Sequence, residues 1–396
     1  MRSRGRALIL AFGLIGTSCV TPTALPSALT TGATPTPPPT SPATTQPSCA
    51  ERIQAVLTFE QRVGQLFLLG LAGDRLGEAE RDAIRTSHFG SVWFVEQTVA
   101  GVSGIRAVAD SVQALVSPQT TGNVGFFVAA NQEGGTIQSL KGPGFAPIPS
   151  AVEQAGLDPT MLRQLAGEWG RELSAAGVNL NFAPVLDVVP SGTDAQNEPI
   201  GVLKRGYGHD SATVSAHGVA FLRGMQDAGI VATAKHFPGL GRVHGNTNVT
   251  AAVVDDLTTI DDPSLAPFGE AVGAGVPLIM VSLATYTKID GQHQAVFSPA
   301  ILHQMLRGRL GFGGAIVSDD LGATAAVAAV PAGQRAIDFL SAGGDLVVSK
   351  TIGPAQAMTA AILARAAGDV TFRARVDDAA LRVLRAKQSS GLLRCT

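Results

Sequence analysis

The stretch "SPAILHQMLRGRLGFGGAIVSDDLGA", Ser298 to Ala323, holds one whole structural unit. Its first part, 298–311, reads as an amphipathic helix ending on Gly311, a residue that stops helices readily. "GAIVS" (314–318) is a continuous apolar run, as a strand buried on both faces should be. Asp319 and Asp320 then leave the strand side by side.

The same unit recurs. Further strand candidates are "LFLLG" (66–70), "SVWFV" (91–95), "VGFFVA" (124–129), "VNLNFA" (178–183), "IVATA" (230–234), "PLIMVS" (277–282) and "DLVVS" (345–349). Helical patterns lie between many of them, such as 160–177 and 211–229, and several end in Gly. Thr58 followed by Gln61 is a capping box that starts the first clear helix. Eight strands alternating with helices predict a single-domain, TIM-type (β/α)8 barrel, with room for one irregular strand at its start. A doubly wound open sheet fits the same pattern.

A barrel makes a prediction about function. Polar groups at the C-terminal ends of strands converge on one mouth. Asn131 in "NQEGG" follows the third strand and Asp187 the fourth. Lys235 and His236 follow the fifth, Tyr286 the sixth, and Asp319 and Asp320 the seventh. Lys235 and His236 open "AKHFPGLGRVHGNTN" (234–248), a glycine-rich segment dense in groups that grip a polar ligand.

Composition narrows the chemistry. The 396 residues carry a net charge of −2 and no basic run, which argues against nucleic acid. No metal-ligand spacing, phosphate loop, dinucleotide fingerprint or nucleophile elbow is present, so no metal or cofactor is expected. Carboxylates, a Lys-His pair, Arg205 and amides around a polar mouth suit carbohydrate. Asp319 is placed either as a glycosidase nucleophile or as a helix cap after its strand.

The chain begins with "MRSRGR", a short apolar run "ALILAFGLIG", and "TSC". This order predicts an export signal over 1–18 with lipidation at Cys19, although Gly16 departs from the usual lipobox. An uncleaved anchor would reach the same compartment. Residues 19–48, rich in Pro, Thr and Ser, read as a disordered tether holding a domain (49–396) off a membrane. In an exported chain Cys49 and Cys395 read as a disulfide joining the ends of that domain, the alternative being two free thiols.

Several motifs together resemble glycoside hydrolase family 3. They are "QEGG", "NLNFAPVLDV", "RGYG", "KHFPG.G", the opening stretch, and "AIDFLSAGGDLVV", in order from Thr58 to Val348. The resemblance is strongest to its single-domain β-N-acetylglucosaminidase branch, the NagZ type. It implies retaining hydrolysis of β-glycosides, with Asp319 as nucleophile and Asn131, Arg205, Lys235 and His236 as sugar-binding residues. It implies a structural role for Asp187. β-Linked N-acetylglucosamine saccharides from peptidoglycan are then the expected partners, and the protein an exported, lipid-anchored monomer.

The departures from the family pattern concern the acid. The branch carries "KHFPGHG....DSH", whose Asp and His form the acid/base dyad. Here those positions are Asn246 and Asn248, and the earlier His is Leu240. Asn131 replaces an Asp, Ser139 an Arg and Leu283 a His. His244 is the nearest titratable replacement for the missing acid, or simply a loop histidine. The alternatives are a sugar-binding envelope protein with a decayed site, or a β-glucosidase or β-xylosidase. Many members of the last kind carry a second domain for which this chain leaves no length.

Overall fold

The computed structural model describes residues 46–395. The export segment, Cys19 and the tether up to residue 45 lie outside the described residues. Eight strands close a barrel: β1 (Phe67–Leu71), β2 (Ser91–Phe94), β3 (Phe127–Ala130), β4 (Leu180–Asn181), β5 (Val231–Phe237), β6 (Leu278–Val281), β7 (Ala315–Asp320) and β8 (Leu346–Ser349). Neighbours in sequence are neighbours in space, every pair is parallel, and β8 pairs back onto β1 through Phe67 and Val347.

The continuous apolar runs are buried along their whole length because barrel core lies on one face and helices on the other. A helix follows each strand: 78–87, 101–113, 159–175, 211–227, 266–273, 300–309, 332–342 and 352–368. The segment 300–309 is wound as a π-helix rather than the α-helix its pattern suggests. Gly177 and Gly229 leave the third and fourth of these helices at φ 76°, where a side chain would be strained. The Thr58–Gln61 capping box forms in both directions.

The irregularity expected in the first strand lies elsewhere. β5 sets Lys235 and Phe237 against adjacent Met280 and Val281, so His236 is one residue extra. β7 spends three steps, Val317 to Asp320, against two on β8, so one residue in the Ser318–Asp319 stretch is extra. Bulges of this kind re-aim side chains beside active sites. β4 is shorter than its apolar run: Pro184 has no N–H to continue the ladder.

The N-terminal ends of the strands are closed by helices 49–56, 59–65 and 370–389. Ala50, Leu57, Val124 and Leu384 form a small buried cluster there. Cys49 and Cys395 are joined, their Cα atoms 5.7 Å apart.

Candidate active site

The C-terminal ends of the strands surround a cavity of about 420 Å³. Asn131, Arg205, Lys235, His236, Asn246, Asn248, Asp319 and Asp320 all line it, so β3, β5 and β7 bring together most of the residues singled out in the sequence. Trp93, Phe182 and Met280 give it apolar wall.

Glu133 organises the charged floor. Its Oε1 accepts from Lys235 Nζ at 2.6 Å and Arg205 Nη2 at 2.7 Å, and its Oε2 from Arg205 Nε at 2.8 Å. Burial alone would raise the Glu133 carboxyl. Arg205 and Lys235 outweigh it and hold the group at about 2. Burial lowers Lys235 from the ordinary lysine value against the opposing pull of Glu133. Lys235 also donates to Asn131 Oδ1 at 2.9 Å, so the residue standing where the family carries Asp still receives the ammonium. Within "QEGG" the sequence alone assigns Glu133 no role. The signal was there: two cations expected in one buried site require a counter-charge.

His236 is oriented from behind. Its Nδ1 donates to Asp187 Oδ2 at 2.7 Å, since a carboxylate can only accept. Its Nε2 is thereby left as an acceptor facing Arg205 Nη2 at 3.5 Å. Asp187 is fully buried and also accepts from the backbone N–H of His236 and Leu240. It braces the site, as the resemblance implies, and does not line the cavity.

Asp319 leaves β7 at the bulge. Its Oδ1 accepts from the Asp320 N–H at 2.7 Å, and no other hydrogen bond to its carboxylate forms among the described residues. Its charge is felt by both Arg205 and Lys235. Asp320 instead pins the turn after β7, accepting from the Gly322, Ala323 and Lys350 N–H groups. Burial raises the Asp320 carboxyl above its usual range.

Two sequence expectations are corrected. Tyr286 is not a mouth residue. It is fully buried, and its hydroxyl donates to Gly239 O at 2.7 Å, fixing the loop after β5. His244 is exposed and does not line the cavity; Asn246 and Asn248, further along the loop, do. The chain turns between them, with Asn246 Oδ1 accepting from Asn248 N–H at 3.0 Å. Ser139 is buried off the cavity and Lys141 donates to Gln97, so neither replaces the missing Arg. Among the described residues no group of three or more His, Cys, Asp or Glu side chains is placed to hold a metal ion.

Residues 58–386 match the glycosyl hydrolase family 3 N-terminal domain. The chain belongs to glycosyl hydrolase family 3. A β-hexosaminidase of Stenotrophomonas maltophilia (strain K279a) is 31% identical over 295 residues, 72% of this chain and 82% of the relative. One from Alkalilimnicola ehrlichii is 32% identical over 289 residues, 71% and 79% of the two chains. The crystal structure of a β-N-acetylhexosaminidase from Beutenbergia cavernae superposes with a TM-score of 0.82 at 46% identity, covering 84% of this chain and 99% of that one.

Proposed function

We propose that the protein is a retaining exo-β-N-acetylglucosaminidase that forms a covalent glycosyl-enzyme on Asp319. The observation that carries this reading is Asp319 itself: a carboxylate with one oxygen unengaged, set by a bulge into a cavity whose floor is fixed by Glu133. Relatives named as β-hexosaminidases support the choice of sugar. A cavity of this size lies in the range of small-molecule pockets, about 300–1,000 Å³, and suits a terminal sugar.

In the first step an Asp319 oxygen bonds to the anomeric carbon as the glycosidic C–O bond breaks, and the leaving oxygen takes a proton. Water then attacks the same carbon, Asp319 departs, and the product keeps its configuration. Arg205, Lys235, Asn131 and His236 present donors and acceptors to the sugar hydroxyls. Two inversions at one carbon require only one nucleophile on the protein.

The reading extends to place. The "MRSRGR…TSC" start supports export with a lipid on Cys19, and peptidoglycan-derived glycosides as substrate. Cys19→Ala should release the protein from the membrane fraction; unchanged retention would remove the lipid anchor from the reading.

The wild type should hydrolyse nitrophenyl β-N-acetylglucosaminide, and a fluorinated sugar should label Asp319. Asp319→Asn should lose both. Labelling that persists in Asp319→Asn would end the assignment. Asn246 and Asn248 favour a second reading, a sugar-binding protein with a decayed site. Binding of N-acetylglucosamine by calorimetry without any turnover would select it.

A further inference from the structure

The amides at 246 and 248 cannot exchange a proton, and the deeper carboxylates are committed. Asp320 serves three backbone N–H groups, Glu133 serves Lys235 and Arg205, and Asp187 serves His236 and Leu240. Glu198 stands exposed on the loop after β4, just outside the cavity lining as His244 is, but unlike His244 with its side chain tied to a lining residue. Its Oε2 accepts from the backbone N–H of Asn246 at 3.1 Å. Among the described residues it is the carboxylate hydrogen-bonded to the 246–248 segment. Its chain neighbour Pro199 and its partner Asn246 both line the cavity.

This placement is held by a bond network between two loops. Asn197 Nδ2 donates to Leu240 O at 2.7 Å and Val243 O at 2.8 Å, while its Oδ1 accepts from Ile200 and Gly201 N–H groups. Glu198 N–H donates to His244 O at 3.4 Å. Asn197 is almost fully buried, so the loops after β4 and β5 form one unit with the Glu198 side chain on its outer edge.

We propose that Glu198 is the general acid and base of this site, supplying from the loop after β4 what the family pattern carries on the loop after β5. The proposal rests on the glycosidase reading. Protonated Glu198 gives its proton to the glycosidic oxygen as that bond breaks and the Asp319–carbon bond forms. As carboxylate it takes a proton from the water whose oxygen displaces Asp319, and both side chains return to their starting states. Hydrogen bonding to Asn246 holds Oε2 and leaves Oε1 for the leaving group.

The test uses Glu198→Gln and Glu198→Ala in the full chain, with nitrophenyl β-N-acetylglucosaminide and the unactivated β-1,4-linked disaccharide of N-acetylglucosamine. Gln keeps the acceptor for Asn246 N–H but cannot carry the proton. Both variants should therefore lose about 10²–10⁴-fold in disaccharide turnover while forming the glycosyl-enzyme normally from the nitrophenyl substrate. Azide should accelerate Glu198→Ala and yield the β-glycosyl azide. Disaccharide turnover in Glu198→Gln within about twofold of wild type would overturn the proposal, whatever Glu198→Ala does. So would the same loss arising instead from Glu96→Gln, the exposed carboxylate beyond cavity-lining Val95. If Asp319→Asn is dead and Glu198→Gln active, this inference alone fails. A wild type inert on both substrates removes the glycosidase reading and this inference together.

Discussion

Two buried lysines mark the two ends of the barrel, and they are kept in opposite ways. Lys235, 2% exposed, stands at the open end and touches Glu133 and Asn131. Lys387, 0% exposed, comes from the last helix and sits beneath the strands. Its ammonium donates to Gln65 Oε1 at 2.7 Å, Gly90 O at 2.6 Å and Gly125 O at 3.0 Å, just ahead of β1, β2 and β3. The Phe127 ring lies 5.4 Å away. Among the described residues no carboxylate answers it. Burial therefore drives Lys387 well below the ordinary lysine value, whereas at Lys235 the same burial is opposed by Glu133. At the open end the charge is met by a carboxylate. At the closed end the ammonium is held by neutral acceptors alone, a three-way donor that ties strand starts together.

The comparison breaks most sharply at Glu133. Glu133→Gln strands two cations in a buried site, and should cost about 3–5 kcal/mol in urea unfolding together with sugar binding. A loss of activity without loss of stability would mean that the pair is not desolvated. At the closed end, reducing or replacing Cys49 and Cys395 should cost about 2–4 kcal/mol and leave the turnover of folded protein unchanged. Lys387→Met should cost about 1–3 kcal/mol, because orphaned carbonyls replace an orphaned charge, and it too should spare kcat. A fall in kcat there would show that the two ends are coupled.

A pH dependence of the same sign at the two ends, in separate pH windows, sharpens the comparison further. The Glu133 carboxyl lies at about 2 in the fold and about 4.3 unfolded. Its contribution is present above about 4.3 and fades as pH falls towards 2. Lys387 is depressed in the fold, so the unfolded chain binds the extra proton, and stability rises with pH towards about 10.4. Urea midpoints of Glu133→Gln should flatten against wild type in acid, and those of Lys387→Met in alkali. Burial pushes Asp320 and Asp345 the other way in acid, which is why the difference between variants, not the raw curve, is diagnostic.

The barrel was legible because most strands are apolar on consecutive residues and several of the helices between them end in glycine. The lining was legible where the chain runs straight from strand to cavity, as at Asn131, Lys235, His236 and Asp319. Reading failed where a bond to a distant residue decides the outcome. Tyr286 has the look of a ligand group until Gly239 O takes its hydroxyl. His244 lies two residues from a lining position, but the loop turns it outward. Glu133 and Glu198 act through partners 72 and 48 residues away, separations that no local pattern encodes.

The helix that begins at Cys49 packs against the last helix under the strand starts, and the cavity opens at the other end of the same strands. The Cys49–Cys395 bond thus clamps the end of the barrel that a saccharide never enters, and its work is confined to holding the floor shut.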